Sequence, residues 1–183
     1  MKFKALPLAG AYIIEPKPFV DERGMFARIY CECELADIGL NTHVVQINHS
    51  RNTMPGTVRG MHFQNPPKAE TKIVKCLNGA IFDVIVDIRR GSSTFLAWHG
   101  EILSANNMLA MLIPPGFAHG FQVLKPNSEL IYLHMEFYSP EHESGFHYAD
   151  PNIGIQWPRK VTVVSERDSS LPLIKENFKG VEL

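Results

Sequence analysis

Hydrophobic and polar positions along the chain fall into short segments, each cut off by Gly, Pro, Asn or Asp. Segments 44–50, 57–64, 72–77, 81–88, 108–113 and 130–138 are apolar or alternate with period two, the pattern of β-strands. Breaks at Met54-Pro55-Gly56, Asn78-Gly79, Arg90-Gly91-Ser92 and Pro114-Pro115-Gly116 separate several of them. Only 32–39 and the tail after Leu171 have partly helical character. Many short strands at regular spacing predict an all-β barrel or sandwich, closed to hide its edges. No internal repeat or low-complexity linker divides the sequence, so residues 1–183 are expected to form one domain. The tail from Asp150 is poorer in strand signal and is expected to wrap the barrel or meet a second subunit.

Composition narrows the partners. Hydrophobic residues make up 45% and charged residues 20%, which leaves enough apolar surface for a core and excludes disorder. Eighteen basic and 19 acidic residues are spread along the whole chain, with no basic block. Nucleic acid and anionic membranes are therefore not expected partners, whereas a small anionic ligand held by a few arginines is compatible. The start, MKFKALPLAGAYIIEP, has no apolar run long enough for a signal peptide or a membrane helix. Three cysteines, an odd number, fit free thiols in a reducing cytoplasm. Cys31-Glu32-Cys33 lacks a partner pair and reads as two structural thiols near a short helix, not as a metal site.

Candidate chemistry sits in four segments. In 44–50, alternation puts Gln46 and Asn48 on one face, as a binding surface or as a solvated strand side. In 57–64, His62 lies between Met61 and Phe63, where a hydrogen-bonded core histidine and a catalytic base both fit. Arg59 and His62 are three apart and fall on opposite faces under strict alternation. If both line one pocket, Gly60 must sit in a bulge that shifts the register. A second histidine, His119, follows the rigid turn Pro114-Pro115-Gly116. In 130–138, Leu130, Tyr132, His134 and Glu136 share one face, a stripe that fits either a pocket lining or a solvated sheet.

The two histidine segments resemble the paired motifs of the cupin superfamily. Pro114-Pro115-Gly116-Phe117-Ala118-His119 matches the second, Pro-x-Gly-x-x-His. The first departs: Gln64 stands where a second histidine is usual, and Lys72 where a metal-binding cupin has its glutamate. A protonated lysine cannot ligate and repels a metal, so no metal or other cofactor is expected. Most of the chain is similar to the dTDP-4-dehydrorhamnose 3,5-epimerases. The matching stretches are Asp21-Glu22-Arg23-Gly24-x-Phe26, Gln46-x-Asn48-x-Ser50, Arg59 to Gln64 with Pro66-Pro67, and Asp83-Val84-x-Val86-Asp87-x-Arg89. Further matches are Gly116 to Phe121, Tyr132, Tyr138-x-Pro140-Glu141-x-Glu143, Trp157-Pro158 and Ser165-x-x-Asp168.

The resemblance implies a cupin-type β-barrel (jelly roll) with a few short helices, and a reaction at carbons beside a sugar ketone. His62 matches the family's base and Asp168 the carboxylate that orients it. Lys72 looks like the group facing the enolate oxygen, and His119 like a support for that oxygen or the neighbouring hydroxyls. Tyr132 matches the proton donor. By the same resemblance Arg23, Arg59, Gln46 and Asn48 hold the diphosphate and nucleoside, Tyr138 stacks on the base, and Glu143 adds a contact. Phe19 and Phe26 match apolar walls near the sugar, with ordinary core packing an equal reading. Arg28 departs from a glutamate common in the family and Arg167 from a lysine, and Arg28 bears on which nucleotide is preferred. The implied activity is epimerisation of dTDP-4-dehydro-6-deoxy-D-glucose at C3 and C5 by a homodimer. Rivals are a monofunctional 3- or 5-epimerase of a related nucleotide sugar and a non-catalytic nucleotide-sugar-binding cupin.

Overall fold

The computed structural model describes residues 1–41 and 43–183. The chain opens with β1 (Lys2–Ala5) and β2 (Tyr12–Glu15), then a small ribbon of β3 (Phe19–Asp21) and β4 (Gly24–Phe26). The short helix α1 (Glu32–Ala36) leads to β5 (Gln46–Asn52), β6 (Val58–Gln64), β7 (Lys72–Asn78) and β8 (Ala80–Asp87). After these come β9 (Trp98–Ser104), β10 (Ala110–Ile113), β11 (Phe117–Val123), β12 (Ser128–His134) and β13 (Glu143–Gly145). A single helical turn, α2 (Glu166–Ser169), follows.

Two antiparallel sheets form the barrel, one in the order β1-β2-β10-β7-β12-β5 and the other β13-β6-β11-β8-β9. Between them lies a core with Val74, Met111 and Leu130 from the first sheet and Ile81, Ile85 and Phe121 from the second. Each such side chain contributes roughly 1.5–3 kcal/mol when fully buried. The outer faces are covered as well. Val84, Val86 and Ile88 pack under Ile153, Ile155 and Val181 of the tail, and Ile73, Leu112 and Leu133 under Leu35 of α1. Strand β8 is thus buried on both sides, which is why 81–88 reads as a mostly apolar run, and β7 is buried on both sides from Lys72 to Cys76.

The tail wraps the barrel as anticipated: Val181 pairs with Arg89 and is buried. Its helical reading is corrected. Among the described residues no helix follows Leu171, and the helical turn is α2, before it. Pro172 supplies no N–H and disfavours the helical conformation at Leu171. The Ile174 N–H then donates to Asp150, and its carbonyl accepts from Asn152, in place of helical partners. The 130–138 reading is also adjusted, since β12 ends at His134 and Tyr138 lies beyond it.

Candidate active site

The inward faces of the strands change from apolar to polar along their length. On β7, Cys76 and Val74 belong to the core while Lys72 lines a cavity; on β12, Leu130 gives way to Tyr132 and His134. Gln46, Asn48 and Ser50 of β5 line the same cavity, which settles the alternation there in favour of a pocket. The cavity measures about 470 Å3, within the range of small-molecule sites.

Arg59 and His62 both line it, and the register shift that this requires is present. His119 pairs with His62 and Phe121 with Arg59, so two residues of β6, Gly60 and Met61, oppose one of β11, Gly120. Gly60 takes φ +115°, and a Cβ there would lie 2.6 Å from the Gly120 Cα and 2.7 Å from the His119 carbonyl. Only glycine on both strands lets the backbones approach this closely.

His62 is tied to a residue far along the chain. Ser165 caps α2, its hydroxyl accepting from the Asp168 N–H at 3.0 Å, and this turn aims the Asp168 carboxylate back at β6. Asp168 Oδ1 lies 2.8 Å from His62 Nε2, and Oδ2 accepts from the Gly60 N–H at 3.0 Å. Burial pushes the carboxyl up, but hydrogen bonds from His62 and Gly60 outweigh it and leave Asp168 below its ordinary value. An ionised carboxylate only accepts, so His62 Nε2 carries the hydrogen and Nδ1 keeps a lone pair.

The facing sheet presents Tyr132. Burial and the charge of Asp83 raise its phenol well above the ordinary value, against the opposing pull of Arg59 and Ser50, so it stays protonated at neutral pH. Its ring meets His119 edge-on, centroids 6.2 Å apart. His119 Nε2 is 2.8 Å from Asp83 Oδ1, and burial lowers the imidazole pKa despite that carboxylate, so His119 is neutral near pH 7. The other oxygen of fully buried Asp83 has no hydrogen-bond partner among the described residues.

Lys72 Nζ donates to Glu70 Oε1 at 3.1 Å, and His134 Nδ1 lies 2.7 Å from Glu70 Oε2. Toward the mouth, Tyr138 donates to Glu143 at 2.6 Å, and Arg167 pairs with the other Glu143 oxygen at 2.6 Å. Arg59 Nε donates to Asn52 at 2.8 Å, and Gln46 donates to Asn48 at 3.3 Å. All of these residues except Asn52 line the cavity.

Four expected site residues do not. Phe19, Arg23, Phe26 and Arg28 lie on or just after the β3–β4 ribbon, outside the cavity lining. Arg23 pairs with Asp21, and Arg28 with Glu34 at 2.6 Å. Phe19 and Phe26 are 78% and 77% exposed, which overturns the core-packing reading for both. Conversely, Glu70 and the pairing of Asp83 were not anticipated. Glu70 had a usable signal, since alternation continued back through Thr71 puts it on the face of Lys72. Among the described residues no group of three or more His, Cys, Asp or Glu side chains is arranged to hold a metal ion.

An imidazole on one sheet held by the Asp168 carboxylate of α2, facing a protonated phenol and a lysine on the other sheet, is an arrangement able to move protons at carbon, set in a cupin-type barrel. Sequence and structural relatives carry this further. The family model described as dTDP-4-dehydrorhamnose 3,5-epimerase matches residues 5–176, and the chain belongs to that family. The dTDP-4-dehydrorhamnose 3,5-epimerase of Sinorhizobium fredii is 44% identical over 181 residues, covering 96% of this chain and 91% of that protein. That of Methanothermobacter thermautotrophicus is 40% identical and covers 96% of both. The crystal structure of the Bacillus anthracis dTDP-4-dehydrorhamnose 3,5-epimerase, with TDP and PPi bound, superposes with a TM-score of 0.92. It is 42% identical and covers 94% of this chain and 99% of that one.

Proposed function

We propose that the protein epimerises dTDP-4-dehydro-6-deoxy-D-glucose at C3 and C5, giving dTDP-4-dehydro-L-rhamnose. The observation that carries this reading is the opposition of His62 and Tyr132. They line one cavity from facing sheets, so a proton can leave one face of a carbon and another arrive on the opposite face. Family membership supplies the substrate, because the relatives bear the name of this reaction.

In this scheme the lone pair of His62 Nδ1 takes the proton from a carbon beside the C4 ketone. The electron pair moves onto the ketone oxygen, and Asp168 stabilises the imidazolium that forms. Lys72 faces the enolate oxygen, where a fixed cation acts on developing charge, while His119, whose Nε2 is engaged by Asp83, lines the cavity beside it and can accept from a neighbouring sugar hydroxyl through Nδ1. Tyr132 then delivers its proton to the other face and is reprotonated from solvent, while His62 returns its proton to water. A second cycle inverts the second carbon. Gln46, Asn48, Arg59 and Arg167 hold the diphosphate and nucleoside, with Tyr138 stacked on the base and Glu143 beside it.

The reading includes a homodimer. Phe19, Phe26, Arg23 and Arg28 are assigned to the site by resemblance yet stand on an exposed ribbon away from the cavity of their own chain. A second copy whose ribbon reaches over the cavity mouth reconciles the two. The odd cysteine count supports a cytoplasmic location. The direct test is incubation with the sugar nucleotide in deuterium oxide, with the C3 and C5 protons followed by NMR. Exchange and inversion at both carbons support the reading; exchange at one carbon replaces it with a monofunctional epimerase.

A further inference from the structure

Glu70 lies outside β7, two residues before Lys72, and its carboxylate joins two strands. One oxygen accepts from Lys72 Nζ at 3.1 Å and the other from His134 Nδ1 at 2.7 Å. The three side chains are 10%, 9% and 14% exposed, so the arrangement is nearly closed to solvent. Strand register explains why they meet, since His134 of β12 pairs directly with Lys72 of β7. His134 is itself fixed: its Nε2 faces Asn48 Nδ2 at 3.3 Å, and its ring lies 15° from parallel to that of Tyr132. Burial alone raises the Glu70 carboxyl, but Lys72 and His134 more than offset this and hold it at about 2. The carboxylate therefore remains ionised throughout the physiological range.

We infer that Glu70 is a positioning residue for Lys72, with His134 as the second anchor of its carboxylate. The inference rests on the assignment of Lys72 to the sugar oxygen. A lysine side chain turns about four bonds, and a cation acts well on developing charge only when it is held in place beforehand. Nothing in the lysine itself supplies that constraint; the bridging carboxylate does. A lone carboxylate beside Lys72 also weakens the field at the sugar oxygen. Sharing the second oxygen with His134 limits that loss while keeping the buried cation paired.

Two measurements on the full-length protein test it, with Glu70→Gln shown to be folded by thermal melting. In the sugar assay, Glu70→Gln is expected to lower kcat by roughly tenfold to a hundredfold, the scale of a misplaced catalytic group, with KM little changed. In a Lys72→Met background the same change is expected to cost nothing more, because both act through one group. An equal loss in that background, or a loss of melting temperature with kcat intact, overturns the inference. The second readout needs no turnover. In 15N–1H NMR of the lysine ammonium groups, Lys72 is expected to give a slowly exchanging signal, assigned by its loss in Lys72→Met. Glu70→Gln should abolish that signal, and its persistence overturns the inference. A wild-type protein inactive on the sugar but showing this pattern would refute the proposed reaction and leave the positioning of Lys72 standing.

Discussion

His62 Nε2 and Asp168 Oδ1 are 2.8 Å apart although the residues are separated by 106 positions in the chain. One sits on β6, the other on the capped turn α2, and the contact leaves Nδ1 as the ring nitrogen open to the proposed role of base. Asp168→Asn keeps the side-chain shape but removes the charge that stabilises the imidazolium. The expected result is a fall in kcat of roughly 10²–10⁴-fold, the usual range for general acid–base catalysis, with the nucleotide still bound. Steady-state kinetics alongside dTDP titration checks this; an unchanged kcat removes Asp168 from the mechanism.

Tyr132→Phe separates proton removal from proton delivery. Since His62 is untouched, hydrogen at the sugar carbons should still exchange with deuterium oxide, while formation of the inverted product slows by at least roughly 10²-fold. Loss of exchange and inversion in equal measure would show that Tyr132 is needed for deprotonation itself.

Gly60→Ala tests the bulge. The added methyl meets the Gly120 Cα and the His119 carbonyl, and the backbone conformation, φ +115°, is one that alanine resists. A stability loss of roughly 1–3 kcal/mol is expected from the strain, with activity falling further because Arg59 and His62 lose their common pocket. Thermal melting and the exchange assay measure the two effects. Wild-type behaviour in both would mean that the strand can shift register without this glycine.

Acid stability should depend on Asp87. Its carboxylate, fully buried, accepts from Arg89, Ser92 and Thr94, and although burial pushes it up these bonds hold it at about 2. An unfolded aspartate titrates near about 3.9. A carboxyl held lower in the folded chain stabilises it above the unfolded value and loses that contribution as pH falls through the folded one. Melting temperature should therefore drop between about pH 4 and 2, and Asp87→Asn should lower it by several degrees at pH 7 while flattening that drop. Melting curves that differ by the same amount at pH 7 and pH 2 would contradict the linkage.

The sequence disclosed much of the barrel, for identifiable reasons. Alternation put Gln46 with Asn48, and Tyr132 with His134, on common faces but left pocket and solvated face open, and only the family resemblance chose between them; a pocket shared by Arg59 and His62 required the bulge that the structure contains. Strands buried on both faces read as apolar runs, so their existence was clear while their ends were not. Other features depend on distant contacts. Asp168 lies on a single helical turn defined by the Ser165 cap and by its bonds to β6, neither of which leaves a periodic trace. Glu70 and His134 meet through the pairing of β7 with β12, and nothing local to either residue announces it. The exposure of Phe19 and Phe26 was equally hidden, because apolar spacing is the same whether a ribbon packs on its own barrel or projects from it.

That projection gives a further test. Phe19, Val20, Met25 and Phe26 are all exposed on the β3–β4 ribbon. In light scattering coupled to size-exclusion chromatography the protein is expected at twice the chain mass, and Phe26→Asp is expected to shift it toward one. A monomeric wild-type protein with full activity would remove the second copy from the site.

The most direct test of the central claim is proton exchange on dTDP-4-dehydro-6-deoxy-D-glucose in deuterium oxide, comparing the wild type with His62→Ala. The expected result is loss of the C3 and C5 proton signals with appearance of the inverted sugar, and neither in the folded variant. Exchange that survives in His62→Ala, or no exchange in the wild type, would contradict a His62-initiated double epimerisation.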